Sequence, residues 1–318
     1  MCYTVPIIYF ITNILIYKGG FFMKEVNKPK IIDLHVHSVC SDGKKNVEDV
    51  IKIAIQNNVG VLSLTEHYNM GSYQKARTLA GDNIEVIPGV EFGTSLDCFG
   101  MSNKHVCHIG AYYPSYRIIK VFDMFETSRA DCVKRTLKKL HNLEIPITYS
   151  MVEKNARKKS SIGRFDIAIT LHKMGYSDSP ISAYGDYLDQ GMEGYIKRDK
   201  LSPMDLIYQI RLAGGVPVLF HPKSLRLSPS DTFDFLELLR SCGLEGLEVF
   251  TPHNNEEQTS IFLDMVNKLD LVPTVGSDYH AISSRHIELG KGINNNLNIS
   301  DYSIISRLKE RHHDINKD

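Results

Sequence analysis

Seven segments of the chain place a histidine or a carboxylate at the end of an apolar, β-branched run, and this pattern constrains the fold most. The segments are residues 33–43 (DLHVHSVCSDG), 62–67 (LSLTEH), 87–91 (IPGVE), 105–113 (HVCHIGAYY), 216–222 (VPVLFHP), 247–253 (LEVFTPH) and 275–280 (VGSDYH). Seven such placements predict strands whose C-terminal ends converge on one polar centre. His, Asp and Glu together are the ligands of divalent metals that carry out hydrolysis, so the pattern predicts a metal site.

The apolar runs alternate with helical patterns from residue 31 onwards. Asn46 is a candidate N-cap before helically spaced apolar residues at 47–55, and Ser202 followed by Pro203 marks another helix start. Alternating strands and helices predict parallel pairing. Because ligand-type residues end all seven strands, we expect an α/β fold with a closed or nearly closed barrel rather than an open doubly wound sheet.

Residues 115–200 interrupt this alternation and predict a mostly helical insertion. We expect it to form a lid over the mouth of a barrel made by residues 31–114 and 201–318. The basic residues of the insertion that we single out are Arg157, Lys158, Lys159, Arg164, Lys197, Arg198 and Lys200. A basic lid beside a metal site suits an anionic substrate. For all of them except Arg164, an ordinary solvated helix face is an equal alternative.

Composition and the first residues narrow the classes of protein. Lys plus Arg and Asp plus Glu number 37 each, so a chain that binds nucleic acid through basic charge throughout is disfavoured. Six cysteines form no C-x-x-C pair and predict reduced thiols in a cytoplasmic protein. The apolar run within residues 1–22 is short for a membrane span and lacks the flanks of a signal peptide. We expect residues 1–22 to be a leader upstream of a true start at Met23; a membrane anchor is the alternative.

Spacing singles out several candidate ligands. His35 and His37 are two residues apart, so on a strand both side chains lie on one face and can bind one metal. Asp278 and His280 repeat that spacing. A carboxylate can bridge two metals, which an imidazole cannot do, and Glu91 is the candidate bridge. The alternatives are core histidines with satisfied hydrogen bonds and a solvated glutamate at a strand end.

Position within the strands adds three more candidates. His67 ends the second run. His108 is favoured over His105 because it lies nearer the interior of its strand. His221 ends the most apolar run of the chain, where an unpaired polar group would be costly.

Together these motifs resemble those of the PHP (polymerase and histidinol phosphatase) superfamily. DLHVHSVCSDG is similar to its first motif, LTEH to its second, IPGVE to its third and VGSDYH to its last. The resemblance covers nearly all of residues 31–318 and implies a distorted seven-stranded βα barrel that binds three manganese, iron or zinc ions. The implied ligands are His35, His37, Asp42, His67, Glu91, His108, His221, Asp278 and His280.

Within that superfamily, the chain looks most like the branch that removes phosphate from nucleoside 3′,5′-bisphosphates and trims RNA 5′ ends. The size of the insertion and the segments 160–176 and 243–258 carry this likeness. In the branch, the Arg of a G-R-P-H segment meets substrate phosphate, so Arg164 inherits that role. Phe165 and Asp166 stand here in place of Pro and His. His253 could contact phosphate or act as an acid, and a loop histidine without a role is the alternative.

The resulting hypothesis is metal-dependent hydrolysis of nucleotide phosphate esters, either 3′,5′-bisphosphonucleosides or RNA 5′ ends. A metal-activated hydroxide attacks in line, while the metals and Arg164 neutralise charge on the phosphoryl oxygens. The nearest alternative is a histidinol-phosphate phosphatase. A non-catalytic metal-binding regulatory module and a metal-dependent amidohydrolase are alternatives of other classes. No obligate protein partner and no stable membrane association are inferred.

Overall fold

The protein is described by a computed structural model that covers residues 30–101, 105–157 and 162–317. The predicted leader, Lys158 and Lys159 lie outside these ranges. The strands are β1 (Ile31–Val36), β2 (Val59–Leu64), β3 (Glu85–Val86), β4 (Gly89–Gly93), β5 (His108–Tyr112), β6 (Val216–Phe220), β7 (Gly246–Phe250) and β8 (Val272–Val275). The helices are α1 (Val47–Gln56), α2 (Tyr73–Ala80), α3 (Ile119–Asn142), α4 (Tyr149–Asn155), α5 (Arg164–Lys173), α6 (Pro180–Ala183), α7 (Pro203–Leu212), α8 (Pro229–Ser241), α9 (Glu256–Lys268) and α10 (Ser303–Ile315).

The strands form one sheet of three, β1-β2-β3, and one of five, β4-β5-β6-β7-β8. Two isolated bridges connect their edges, one from Val36 to Tyr279 and one from His67 to Glu91. The predicted mixed α/β fold is confirmed, whereas continuous pairing around a closed seven-stranded barrel is not. One break falls between β3 and β4 at Pro88, which has no N–H to give to a ladder.

Strand β5 runs antiparallel to both of its neighbours, β4 and β6, while the other recorded strand pairs are parallel. The prediction of parallel pairing is therefore wrong for this strand. The described part of the segment between β4 and β5 contains a single short turn of 3₁₀-helix, Asp97–Phe99, and no crossover helix that could carry the chain back for a parallel strand. The reversal brings the first residue of β5, His108, to the edge at which the parallel strands end.

Local signals explain where several helices begin. The side chain of Asn46 accepts a hydrogen bond from the Asp49 amide and caps α1, as predicted. Ser202 caps α7 in the same way, with Pro203 as the first helical residue. Every residue of β1, β2, β4 and β6 is buried, which is typical of strands covered on both faces.

The insertion is mostly helical, as predicted, and has an apolar cluster of its own. Val133, Leu137 and Leu140 of α3 pack there with residues that include Val152 of α4 and Ile167 of α5. Phe125 of α3 belongs instead to the barrel cluster and stacks on Phe92 at 5.6 Å between ring centroids. The role of the insertion as a lid stays a prediction.

Among the described residues, no helix combines the length and apolar character needed to cross a bilayer.

Candidate metal centre

All nine predicted ligands meet at one end of the strands, around the buried side chain of Glu91 in β4. Five imidazoles surround its carboxylate. The distances to the Glu91 oxygens are 3.3 Å from His35 Nε2, 3.1 Å from His37 Nε2, 3.4 Å from His67 Nδ1, 2.7 Å from His108 Nδ1 and 3.0 Å from His221 Nε2. The position that the sequence proposed as a bridge is therefore the centre of the cluster.

The remaining three ligands complete the rim. Asp278 Oδ1 lies 3.4 Å from His35 Nε2, and His280 Nε2 lies 3.2 Å from Asp42 Oδ1. Ligand atoms within 4.8 Å of one another form three groups. The groups are His37, Asp42, His67 and His280; His35, Glu91 and His221; and His35, His37 and Asp278. His108 joins the cluster through Glu91.

Backbone strain marks two of these positions. Asp278 has φ +54° and His221 has φ +29°, in the left-handed region that costs a non-glycine residue energy. Tertiary contacts hold both residues there, because the Asp278 amide donates to the carbonyl of His35 at 2.9 Å and the His221 amide donates to Glu248 Oε2 at 2.7 Å. Two residues before Asp278, the chain needs a glycine. A Cβ on Gly276 would overlap the side chains of His35 and Glu248.

The charges at the centre favour an ionised carboxylate. Burial alone would raise the pKa of Glu91, but the surrounding imidazoles, His35 foremost, hold that pKa well below its usual range. Burial likewise opposes protonation of His35, yet Glu248 and Glu91 raise its pKa well above the ordinary value. For His108, burial outweighs Glu91, and the pKa is lowered. A carboxylate kept in its charged form is the form that binds a cation.

Several buried ring nitrogens point into the cluster without a hydrogen bond from any described residue. These atoms are His35 Nε2, His37 Nε2 and His67 Nδ1. Buried polar atoms are normally satisfied, so orphans that converge on carboxylates call for another partner. Nitrogen and oxygen donors in this combination suit divalent transition metals, and the residues present therefore fit such ions.

Two buried carboxylates support the cluster and were missed from the sequence. Glu248 of β7 lies 2.8 Å from His35 Nδ1 and also accepts from the His221 amide. Asp33 of β1 accepts from the amides of Ser277 and Gly290 at 2.9 and 2.7 Å. Burial raises the pKa of Asp33 to about 6, against these hydrogen bonds. The sequence signal that could have identified both residues is the position of a carboxylate inside a mostly apolar strand, rather than at the end of the strand.

Two pockets reach the cluster through different ligands. The first, named the His108 pocket, has a volume of about 330 Å³. It is lined by His108 and by the basic residues Arg164, Lys197, Arg198 and Lys200. The second, named the His67 pocket, has a volume of about 810 Å³ and is lined by Asp42 and His67 among others. The rings of His67 and His108 are 5.6 Å apart between centroids.

Arg164 lines the His108 pocket, whereas His253 lines neither pocket, and the role of each stays a prediction. Arg164 is the first residue of α5, with its guanidinium 5.0 Å from the ring centroid of Tyr195. His253 lies after β7. Burial lowers the pKa of His253; Asp278 opposes this shift, while Arg285 and Lys223 add to it.

Comparison with known proteins points to one domain family. The PHP domain family matches residues 33–174, which make up somewhat less than half of the chain and contain six of the nine predicted ligands. The prediction of this superfamily is confirmed, and so is the class of phosphoric ester hydrolase at the level of its relatives' names. The role of each of the nine residues as a ligand stays a prediction.

Curated relatives match about four fifths of the chain. A 5′-3′ exoribonuclease of Haemophilus influenzae is 26% identical over 83% of this chain and 94% of its own length. A 3′,5′-nucleoside bisphosphate phosphatase of Chromobacterium violaceum is 24% identical over 79% and 87%. A phosphoribosyl 1,2-cyclic phosphate 1,2-diphosphodiesterase of Eggerthella lenta is 27% identical over 82% and 98%.

Solved structures share the PHP fold. A crystal structure from Bifidobacterium adolescentis has a TM-score of 0.62 at 24% identity and covers 89% of this chain and 98% of its own. A Chromobacterium violaceum structure, described as an amidohydrolase with bound sulfate and no metal, has a TM-score of 0.63 at 22% identity over 87% and 96%. At these identities the likeness supports the fold alone.

Proposed function

We propose that this PHP protein hydrolyses phosphate esters of nucleotides, either 3′,5′-bisphosphonucleosides or RNA 5′ ends. One observation carries the proposal: nine ligand-type side chains converge beside a pocket whose lining includes Arg164, Arg198 and Lys200. The names of the relatives, an exoribonuclease and a nucleoside bisphosphate phosphatase, support the same substrate class.

We propose that the three groups of side chains would hold three divalent cations, manganese, iron or zinc, and that Glu91, which belongs to one group and lies at the centre of the cluster, would be the bridging ligand. When bound, such cations lower the pKa of water to supply a nucleophile at neutral pH and neutralise charge on phosphoryl oxygens. Glu91 would keep the cations together, because its two oxygens face different imidazoles. We further propose that the two sheets form one distorted seven-stranded barrel, in which β3 and β4 together count as one strand.

The His108 pocket would bind and orient the phosphate. Arg164 can present two parallel donors to phosphate oxygens, which fixes their direction as well as their position. Its guanidinium is held between the Tyr195 ring and the carbonyl of Leu188, which accepts from Nη1 at 3.4 Å. Arg198 donates to the carbonyl of Phe125 at 2.7 Å, and this contact anchors it at the junction between insertion and barrel.

We propose that the insertion, residues 115–200, acts as a lid that places the basic side chains of Arg164, Arg198 and Lys200 beside the metal centre. His253 would stand at the rim near Asp278 and could protonate a departing alkoxide. A cytoplasmic location follows from the reduced-thiol interpretation, and the buried Cys107, whose pKa burial raises to about 12, is consistent with an inert thiol.

A phosphate-release screen tests the function. Protein starting at Met23 is assayed with manganese against a 3′,5′-bisphosphonucleoside, a short 5′-phosphorylated RNA and histidinol phosphate, with metal analysis of the same sample. We expect the two nucleotide substrates to be preferred. Preference for histidinol phosphate would favour the rival phosphatase, and no hydrolysis of any ester would favour a binding module.

Arg164→Ala separates the phosphate role from a structural one. We expect KM for the nucleotide substrate to rise about tenfold or more, since a charge-assisted hydrogen bond contributes about 1.5–3 kcal/mol. Arg117→Ala is the matched control, because Arg117 is exposed beyond the opposite end of β5 and lines neither pocket. Equal kinetics in the two variants would contradict the role of Arg164.

A further inference from the structure

The two residues that replace Pro and His after Arg164 have a shared contact, and that contact is Arg157. Asp166 Oδ1 accepts from Arg157 Nε at 3.1 Å and from the Arg157 amide at 3.2 Å. The guanidinium carbon of Arg157 lies over the ring of Phe165, 4.8 Å from the centroid of the ring. The departure from the branch motif therefore fixes the position of one arginine.

This arrangement leaves Arg157 open to a ligand. The Asp166 side chain is 2% exposed, whereas that of Arg157 is 63% exposed. Asp166 takes the hydrogen on Nε, and the donors on Nη1 and Nη2 remain for a ligand or for residues outside the described ranges. Asp166 also accepts from the Gly163 amide at 2.9 Å, so the carboxylate is anchored in its own helix cap independently of Arg157.

Arg157 and Asp166 both line the His67 pocket, which reaches the cluster at Asp42 and His67. Other charges face this pocket. Lys44 and Arg129 add positive charge, and Glu126 opposes it through an ion pair to Arg129 at 2.8 Å. Because the His108 pocket approaches the same cluster through another ligand, a substrate attacked at the cluster can extend into both pockets.

We propose that Arg157 is a specificity-determining residue that binds a second phosphate of the substrate in the His67 pocket. This inference rests on the proposed function, since it places the attacked phosphate at the cluster. The preferred substrates are then phosphate esters that carry a further phosphate one nucleotide unit away, and esters with a single phosphate use the His108 pocket alone. Asp166 and Phe165 position the guanidinium, and Asp166 does not itself meet the substrate.

A comparison of substrates with one and two phosphates tests this role. The assay uses p-nitrophenyl phosphate, a nucleoside 3′,5′-bisphosphate and a 5′-phosphorylated dinucleotide. In Arg157→Ala we expect KM for at least one two-phosphate compound to rise about tenfold, with kinetics on p-nitrophenyl phosphate unchanged. Arg157→Lys should recover part of the loss, and Arg117→Ala none of these changes.

The outcomes are distinguishable. A loss of equal size on all three compounds, or no loss on any, overturns the proposal, because a merely structural ion pair would not sort substrates by their phosphates. Binding of a fluorescent 5′-phosphorylated dinucleotide, followed by anisotropy, gives a second measurement that does not need turnover. If the wild type hydrolyses nothing, the proposed function fails. Dinucleotide binding weakened about tenfold in Arg157→Ala would then still support the anion site, and unchanged or absent binding would overturn it.

Discussion

The two ends of the strands carry charge in opposite ways. At the rim, six histidines and three carboxylates crowd together, and some of the buried ring nitrogens have no hydrogen bond from any described residue. At the base, Glu245 precedes β7 and is ion-paired with Arg211 at 2.8 Å, Arg240 at 3.1 Å and Arg311 at 3.6 Å. Among the described residues, the rim thus contains polar atoms without a hydrogen bond, whereas the carboxylate at the base is paired with three arginines.

This difference separates two kinds of electrostatic stabilisation. At the base, ion pairs join the ends of helices to the start of a strand. Arg211 lies in the last turn of α7 and Arg240 in the last turn of α8, while Glu245 directly precedes β7. The charges at the base stabilise the fold without a ligand. The rim brings side chains together that gain stability when cations bind, because binding to the native state alone adds to the free energy of unfolding. Variants at the two ends should therefore change different measurements.

The largest effect is expected from Glu91→Gln at the rim. The amide keeps the shape of the carboxylate but loses the charge that five imidazoles face, so the cluster loses the negative charge at its centre. We expect kcat to fall about 10³-fold or more, together with the metal content of the purified protein. Steady-state kinetics and metal analysis measure both. Normal turnover at full metal occupancy would refute the bridging role.

Glu248→Gln should have the next largest effect. Glu248 contacts His35 Nδ1 and accepts from the His221 amide, so it would orient two of the predicted ligands. Partners of this kind typically contribute 10–100-fold in metal affinity or activity, and we expect a loss in that range. Metal titration of chelator-treated protein measures the affinity. A variant with unchanged metal affinity and activity would show that Glu248 has a purely structural role, like that expected of Glu245.

Glu245→Gln tests the base. We expect the free energy of unfolding to fall by about 1–2 kcal/mol, because its arginines lose a charged acceptor, with kcat unchanged. Added metal should raise the melting temperature of wild type and variant equally. Denaturant unfolding with and without chelator provides both numbers. A fall in kcat at full metal content would break the distinction between the two ends.

The smallest effect is expected for Asp270→Asn. The Arg311 guanidinium beside Asp270, at 2.6 Å, holds the pKa of this exposed carboxyl below its usual value. A lowered native pKa stabilises the fold above the unfolded value of about 3.9, and that gain is lost as the pH falls through the native pKa. We expect a difference of about 0.2–1 kcal/mol from wild type at pH 7 that disappears in acid. Unfolding at several pH values would show it, and a difference that does not shrink as the pH falls would contradict the ion pair.

The sequence predicted the rim better than the path of the chain. Ligand residues can be found from their spacing, because His35 and His37, two apart in sequence, must lie on one face of an extended segment. The direction of β5 was not predicted, although the order of residues 105–113 contains a signal for it. His108 comes first in its strand, and a strand that brings its first residue to the edge where the other strands end must run antiparallel to them. Glu248 and Asp33 escaped because their partners are distant in sequence. Asp33, for example, accepts from Gly290.

The helical character of residues 115–200 could be predicted, whereas the contacts within them could not. The phosphate-binding role of Arg164 was inferred from its motif and stays a prediction. The link from Arg157 to Phe165 and Asp166 depends on how α5 packs, which residue types alone do not specify. In the same way, two of the ion pairs of Glu245, those to Arg211 and Arg311, join ends of elements that are far apart in the sequence.

The reversal of β5 also constrains the helix that follows. A chain that leaves β5 at Tyr112 starts from the end of this strand that lies opposite His108. Because Arg164, further along the chain, lines the pocket at His108, the intervening residues must return along the whole length of the strand. Helix α3 has 24 residues and so spans about 36 Å, more than the five residues of β5 require. The polarity of one strand thus sets a minimum distance that the next part of the chain has to travel.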